Sequence, residues 1–196
     1  MKIKHFYNDI KKRSTVRQYS KRTISAAKLK KIIESAEFAP SVHNAQPWRF
    51  FVTTNKKKIL AIANILDSKS KKLLAGFSII LKTTSDVVRK APVLVVVYNS
   101  CNLSNRMKRF EEPYYSVTLN SEIQSIAAAI ENILLTACSF GVGGAWLTSP
   151  LFCSKDLSKF LKLNGLLVAM VTLGYPSEKT KKTKKVFVKN YVEFDL

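Results

Sequence analysis

Residues 122–140, EIQSIAAAIENILLTACSF, constrain the fold more than any other stretch of the chain. Ile123, Ile126, Ala127, Ile130, Ile133, Leu134 and Ala137 recur at the i, i+3, i+4, i+7 spacing of one helix face. Ala128, Ala129 and Leu135 occupy much of the remaining circumference, so little of it is polar. A helix of this kind has almost no face to give to water and must lie at the centre of a domain or at a subunit contact. Ser121 with Gln124 three residues on predicts a capping box at its start, and Gly141 suits a left-handed cap at its end.

The other elements arrange themselves around that helix. AAKLKKIIESAEF (26–38) sets Leu29, Ile32, Ile33 and Ala36 opposite a lysine-rich face and predicts a helix stopped by Pro40. Residues 50–54 and 93–98 are β-branched or aromatic runs of strand length, each behind a proline-marked loop. Between them, 56–90 is lysine-rich and weakly periodic, consistent with one or two surface helices. GGAWLTS leads to a short helix, SKDLSKFLKL, with Ser154 as its expected N-cap. LLVAMVTLGYP (166–176) is a long buried strand stopped by Gly-Tyr-Pro, and the tail VFVKNYVEF (186–194) alternates weakly, as an edge or exchanged strand would. Helices and strands alternate, but no βαβ unit carries the GxGxxG dinucleotide fingerprint, which favours an α+β sandwich over a doubly wound sheet.

At 196 residues and 46% hydrophobic, the chain suits one domain, 1–196, with a sizeable core. Its apolar runs are half of what a membrane span needs, and MKIKHFYNDIKKRS lacks an apolar signal core, so a soluble, cytoplasmic protein is expected. Cys101, Cys138 and Cys153 are odd in number and widely spaced, which argues against a disulfide framework or a zinc knuckle. The formal charge of +20 raises nucleic acid, an anionic membrane surface or phosphorylated ligands as partners. The excess is mostly lysine spread along the chain, and no nucleic-acid module accompanies it, so a solvated basic surface is the better account.

Two histidines, His5 and His43, without ligand spacing to cysteine or carboxylate leave no expected metal site. No nucleophile elbow, Walker loop or paired carboxylate is present, so an enzyme built on this chain would draw its reactivity from a bound cofactor. RSTVRQYS (13–20) sets Arg13 and Arg17 around the hydroxyls of Ser14 and Thr15, donors suited to a phosphate and to an anionic ring edge. Taken alone, a solvent-facing basic turn explains it better. APSVHNAQPWRFF (39–51) gathers Ser41, Asn44 and Gln46 between Pro40 and Pro47, which stiffen the loop. That stretch equally suits a helix stop and a proline turn into a strand, with Trp48 in the core.

In series these segments say more. RSTVRQYS, the loop APSVHNAQPW, the helix ending in GVGGAW, and VTLGYP with a basic tail follow one another in the order of the FMN-dependent nitroreductase family, which the chain resembles from about residue 7 to 192. The resemblance implies a homodimeric three-layer α+β sandwich around a mainly antiparallel sheet, with FMN at the subunit interface. It assigns Arg13, Ser14 and Thr15 to the FMN phosphate and ribityl end and Arg17 to the pyrimidine edge of the flavin. Pro40, Ser41, Val42 and Asn44 would line the flavin from the other subunit, and Thr148 and Ser149 would face its N5 region. Lys184 and Lys185 would complete the phosphate site. Phe110, Tyr114 and Tyr115 lie where the family builds its variable substrate cover and would either stack over substrate or, equally, pack as an exposed aromatic loop on the dimer partner.

Two departures stand out: Ser14 replaces a frequent basic or His residue, and the terminal pair is lysine rather than arginine, which keeps charge but loses the bidentate fork. His43 occupies a variable position of the motif and is expected to be a spectator. The activity implied is ping-pong transfer from NADH or NADPH through FMN to a nitroaromatic, quinone or related acceptor. A flavin carrier or sensor, a flavin-fragmenting or dehalogenating enzyme, and a basic nucleic-acid-binding protein are the alternatives.

Overall fold

In the computed structural model, residues 2–177 are described, with side chains from Tyr7 onward. The expected tail strand at 186–194, and Lys184 and Lys185 with it, lie outside the described residues.

Among the described residues the sheet has four strands, β1 (Trp48–Thr53), β2 (Val93–Asn99), β3 (Gly143–Leu147) and β4 (Leu166–Gly174), in the order β1-β2-β4-β3 with every pairing antiparallel. β2 and β4 are central and buried on both faces, which is why VLVVVY and LLVAMVTL read as continuous apolar runs rather than alternating ones. Val93, Val95, Val97, Ala169, Val171 and Leu173 point to one side, where α2 (Ala26–Glu34) and α6 (Tyr114–Ser139) pack. Leu94, Val96, Leu167 and Met170 point to the other, against α3 (Lys56–Ser70), α4 (Ala75–Lys90) and α7 (Ser154–Leu161). The result is the three-layer α+β sandwich expected. α1 (Lys2–Lys12) and the short α5 (Asn102–Met107) flank α6.

α6 is the central helix that its composition demanded. Ile126, Ala129, Ile130, Ile133 and Ala137 are fully buried against the sheet. Each large aliphatic side chain so buried contributes about 1.5–3 kcal/mol. Ile123, Ala127, Ala128 and Leu135 remain only half-buried in the single chain, leaving a largely apolar stripe on the outer side of the helix.

Several boundaries differ from expectation. The capping box at Ser121 does not form, because the helix begins a full two turns earlier, at Tyr114; Ser121 lies inside it and its hydroxyl donates to the Val117 carbonyl at 2.9 Å. Gly141 does take the left-handed conformation, φ 71°. Ser154 is the first residue of α7 rather than its cap, since a 3₁₀ turn over Ser149–Cys153 runs directly into the helix. The 56–90 stretch forms two helices, α3 opened by Asn55 accepting from the Lys58 N–H, and each buries one face despite its lysines. The helix expected over 26–38 ends as α2 at Glu34 and continues as a 3₁₀ turn to Phe38. No helix among the described residues is long and apolar enough to cross a membrane.

Candidate functional site

The segment 13–20 is laid across one end of the sheet. Val16 N–H donates to the Gly144 carbonyl (2.9 Å), Thr15 bridges Gly144, Ser20 N–H donates to the Tyr175 carbonyl (2.8 Å), and Tyr19 bridges Pro176. Such close approach needs bare backbone beneath it. A Cβ on Gly143 would collide with Val16, and one on Gly174 would lie 2.6 Å from Tyr19 Cδ1. The Tyr19 hydroxyl then locks the crossing, donating to the Val16 carbonyl and sharing a hydrogen bond with the Thr172 hydroxyl, both at 2.7 Å. Burial pushes the Tyr19 phenol up to about 12, against the hydrogen bond to Thr172 and the charge of Arg17, so it stays a neutral donor.

This crossing seats Val16 in the core and leaves Thr15 and Arg17 exposed on either side of it. Arg13 and Ser14 line a recess of about 220 Å³ together with Lys12, Cys138 and the backbone of Gly141, Gly143 and Gly144. Arg13 Nε lies 3.4 Å from a Glu131 carboxylate oxygen, which orients the guanidinium at the mouth of the recess. Burial, with Asp9 nearby, pushes the Cys138 thiol up, so it lines the recess as a neutral group.

The loop 39–47 sits elsewhere on the chain, against α6. Val42 N–H donates to Ser125 Oγ (3.1 Å), and Pro40, Ser41 and Val42 border a shallow hollow of about 370 Å³ with Ser121, Gln124, Ser125 and Ala128. The loop's many polar residues hold its own backbone. Gln46 donates through its N–H to Ser41 Oγ (3.2 Å) and through its amide to Asn44 Oδ1 (3.0 Å), while His43, Asn44 and Gln46 all take positive φ. Left-handed backbone at three non-glycine positions is costly and persists only where the surroundings enforce it. Trp48 is buried and Phe50 packs beside it in the core, as the anchoring role required. His43 is exposed, and no hydrogen bond or ion pair of its side chain is found among the described residues.

Thr148 and Ser149 form a third location, at the end of β3. The Ser149 hydroxyl shares a 2.6 Å hydrogen bond with Thr84 of α4, and the backbone turns directly into the 3₁₀ segment, where Phe152 meets Phe77 edge to face. Phe110 and Tyr114 are exposed with ring centroids 5.8 Å apart, and Tyr115 is half-buried beneath the Lys108 ammonium. Tyr114 and Tyr115 belong to the first turn of α6.

A single chain thus brings Arg13 and Ser14 together, with Thr15 and Arg17 beside them, and leaves Pro40–Asn44, Thr148–Ser149 and the aromatic cover as separate groups. Sequence reasoning missed Tyr19 and Thr172, the lock on the crossing, and Glu122. That carboxylate is fully buried in α6 and accepts from the Asn99 amide (3.0 Å), the Leu103 and Ser104 N–H groups (3.0 and 3.3 Å) and the Ser104 hydroxyl (2.7 Å). It ties α5 and the end of β2 to the central helix. An acid at the head of the apolar run 122–140 was the available signal.

Comparison with known proteins bears on the whole of this frame. The profile of the Nitroreductase family matches residues 10–175. An Archaeoglobus fulgidus protein named "Putative NADH dehydrogenase/NAD(P)H nitroreductase" is 30% identical over 172 residues, covering 85% of this chain and 82% of that protein. The Caenorhabditis elegans "Iodotyrosine dehalogenase 1 homolog" is 27% identical over 188 residues, 88% of this chain but 55% of the nematode protein. Among solved structures, a BluB-like flavoprotein from Clostridium difficile 630 superposes with a TM-score of 0.79 at 27% identity, covering 96% of this chain and 97% of its own.

Proposed function

We propose, on the premise that this chain belongs to the nitroreductase family and is therefore an oxidoreductase, that it works as a cytoplasmic homodimer, each subunit one domain over 1–196, with FMN held between subunits. When bound, FMN supplies the redox chemistry, taking hydride from NADH or NADPH and passing electrons to a nitroaromatic, quinone or related acceptor that follows in the same place, a ping-pong order.

The chain's own contribution is positional and electrostatic. Arg13 and Ser14 share the recess with Lys12, Thr15 follows them at its edge, and all are donors that suit a phosphate. Glu131 offsets part of the Arg13 charge without removing its fork. Arg17 presents a fixed cation to the ring edge where negative charge collects on reduction, and a preset charge there needs no reorganisation when the electrons arrive. Pro40, Ser41, Val42 and Asn44 of the partner subunit form the wall of the site, which accounts for the separation of that loop from Arg13 within one chain. The apolar stripe of Ile123, Ala127, Ala128 and Leu135 on α6 is the surface that a second subunit covers. Thr148 and Ser149 border the reactive side, Lys184 and Lys185 complete the phosphate site, and Phe110, Tyr114 and Tyr115 cover the substrate.

The observation that supports this reading most is the locked crossing at Val16 and Tyr19, which holds Arg13, Ser14, Thr15 and Arg17 together at one end of the sheet beside the recess. Arg13→Ala and Arg17→Ala are expected to weaken flavin retention, and unchanged retention contradicts the assignment. Steady-state oxidation of NAD(P)H by the flavin-loaded protein with a nitroaromatic or quinone tests the activity. Absence of turnover with full flavin loading removes the reductase reading. The similarity to the nematode dehalogenase homolog favours a dehalogenating branch as the second reading, and iodinated phenols in the same assay separate the two.

A further inference from the structure

One hollow on the chain plays no part in the proposed flavin site. It lies between α3 and α7, has a volume of about 820 Å³, and shares no lining residue with the recess at Arg13 or the hollow beside Pro40. α3 presents Asn64, Ile65, Ser68 and Lys69, Lys72 follows in the turn after the helix, and α7 presents Asp156, Lys159 and Phe160. On each helix these spacings share one face, so the two faces look into the same groove.

Three features of the groove are chemical rather than merely geometric. The side chains of Lys69, Lys72 and Lys159 make no ion pair and no hydrogen bond among the described residues, whereas those of Lys82 and Arg89 on the neighbouring α4 are both paired with Asp67. Three ammonium groups gathered around one groove with a single carboxylate, Asp156, repel one another and attract a multiply charged anion. Phe160 is 44% exposed with no aromatic partner among the described residues, and with Ile65 it gives the groove an apolar wall that a bare anion would not need. Ser68 and Asp156 add a hydroxyl and an acceptor of the kind that engage amino groups and ribose hydroxyls, while Asn64 Oδ1 already accepts from Arg89 at 3.1 Å. The volume falls within the range of small-molecule sites, about 300–1,000 Å³.

We propose that this groove binds a phosphate-bearing nucleotide, its phosphates on Lys69, Lys72 and Lys159 and its base against Phe160 and Ile65, independently of the site at Arg13. A concave groove with one aromatic wall fits a single nucleotide better than a membrane surface or an extended polyanion, and the site gives part of the +20 charge a purpose.

The test is calorimetric titration of the full-length, flavin-loaded protein with ATP and, separately, with inorganic tripolyphosphate. One saturable ATP site per chain is expected. The paired change Lys72→Glu with Lys159→Glu, both at exposed positions, should weaken ATP at least about tenfold, as loss of two charge-assisted contacts and added repulsion require. Phe160→Ala should weaken ATP about fivefold or more, the low end for loss of one base–aromatic stack, and leave tripolyphosphate unchanged, while Phe160→Tyr restores ATP binding. Arg17→Ala should not alter ATP affinity. The proposal is overturned if ATP does not saturate, if ATP and tripolyphosphate respond alike to Phe160→Ala, if binding follows Arg17 rather than Lys72 and Lys159, or if a single-stranded oligonucleotide binds through these residues where ATP does not.

Discussion

Replacing Tyr19 by Phe tests whether the crossing of segment 13–20 is what organises the candidate cofactor site. The change deletes one oxygen and keeps the ring that packs beside Gly174. That oxygen makes two hydrogen bonds of 2.7 Å, to the Val16 carbonyl and the hydroxyl of fully buried Thr172. At a net 0.5–1.5 kcal/mol for each, the loss is about 2 kcal/mol, which corresponds to about 4–8 °C in Tm for a chain of this size. The same energy sets a ceiling of about thirtyfold on the loss of FMN affinity, if binding requires the docked segment. Alkaline pH supplies a second readout. The folded-state value, about 12, lies above the ordinary 10, so the proton stays on in the fold where the unfolded chain sheds it. The stabilisation is complete below pH 10 and is lost as pH rises from 10 to 12, by up to about 3 kcal/mol. Thermal unfolding at fixed protein concentration and FMN titration, both run on wild type and Tyr19→Phe, measure these effects. Equal Tm and equal FMN affinity, or alkaline profiles that superimpose, refute the reasoning.

Glu122→Ala leaves the Asn99 amide and two buried N–H groups without their acceptor, and at about 1–3 kcal/mol for each orphaned group it should cost at least about 3 kcal/mol in urea unfolding. Glu122→Gln, which keeps an acceptor for the Leu103 and Ser104 N–H groups, should cost less than half as much. Burial, with Asp156 nearby, pushes the Cys153 thiol up to about 11, so at pH 8 a thiol reagent should label Cys153 only after unfolding, a difference that peptide mapping reads directly.

The parts of the fold that were legible are those whose residues answer to a single requirement. The run 122–140 could only be a buried helix, and VLVVVY and LLVAMVTL could only be strands covered on both faces. The start of α6 was not legible, because Ser121 and Gln124 match a capping box by type while Tyr114–Asn120 continue the helix with polar and aromatic residues that carry no strong period. β3 went unassigned because Gly143 and Gly144 suggest a turn; they are there because Val16 and the Thr172 carbonyl approach too closely for a side chain. In the site, the order of motifs disclosed the family, and single residues disclosed little. Within one chain Ser41, Asn44 and Gln46 hydrogen-bond to one another and shape a left-handed loop, whereas Tyr19, an ordinary residue in sequence, closes the lock.

The central claim is that this chain holds FMN and uses it to oxidise NAD(P)H. Anaerobic addition of NADPH or NADH to the purified protein, saturated with FMN and freed of excess, tests it most directly, followed by flavin absorbance and then by addition of a quinone. The account predicts a yellow protein that loses its flavin absorbance with nicotinamide and regains it with the quinone. A protein that takes up no FMN, or one that stays yellow through both additions, contradicts it.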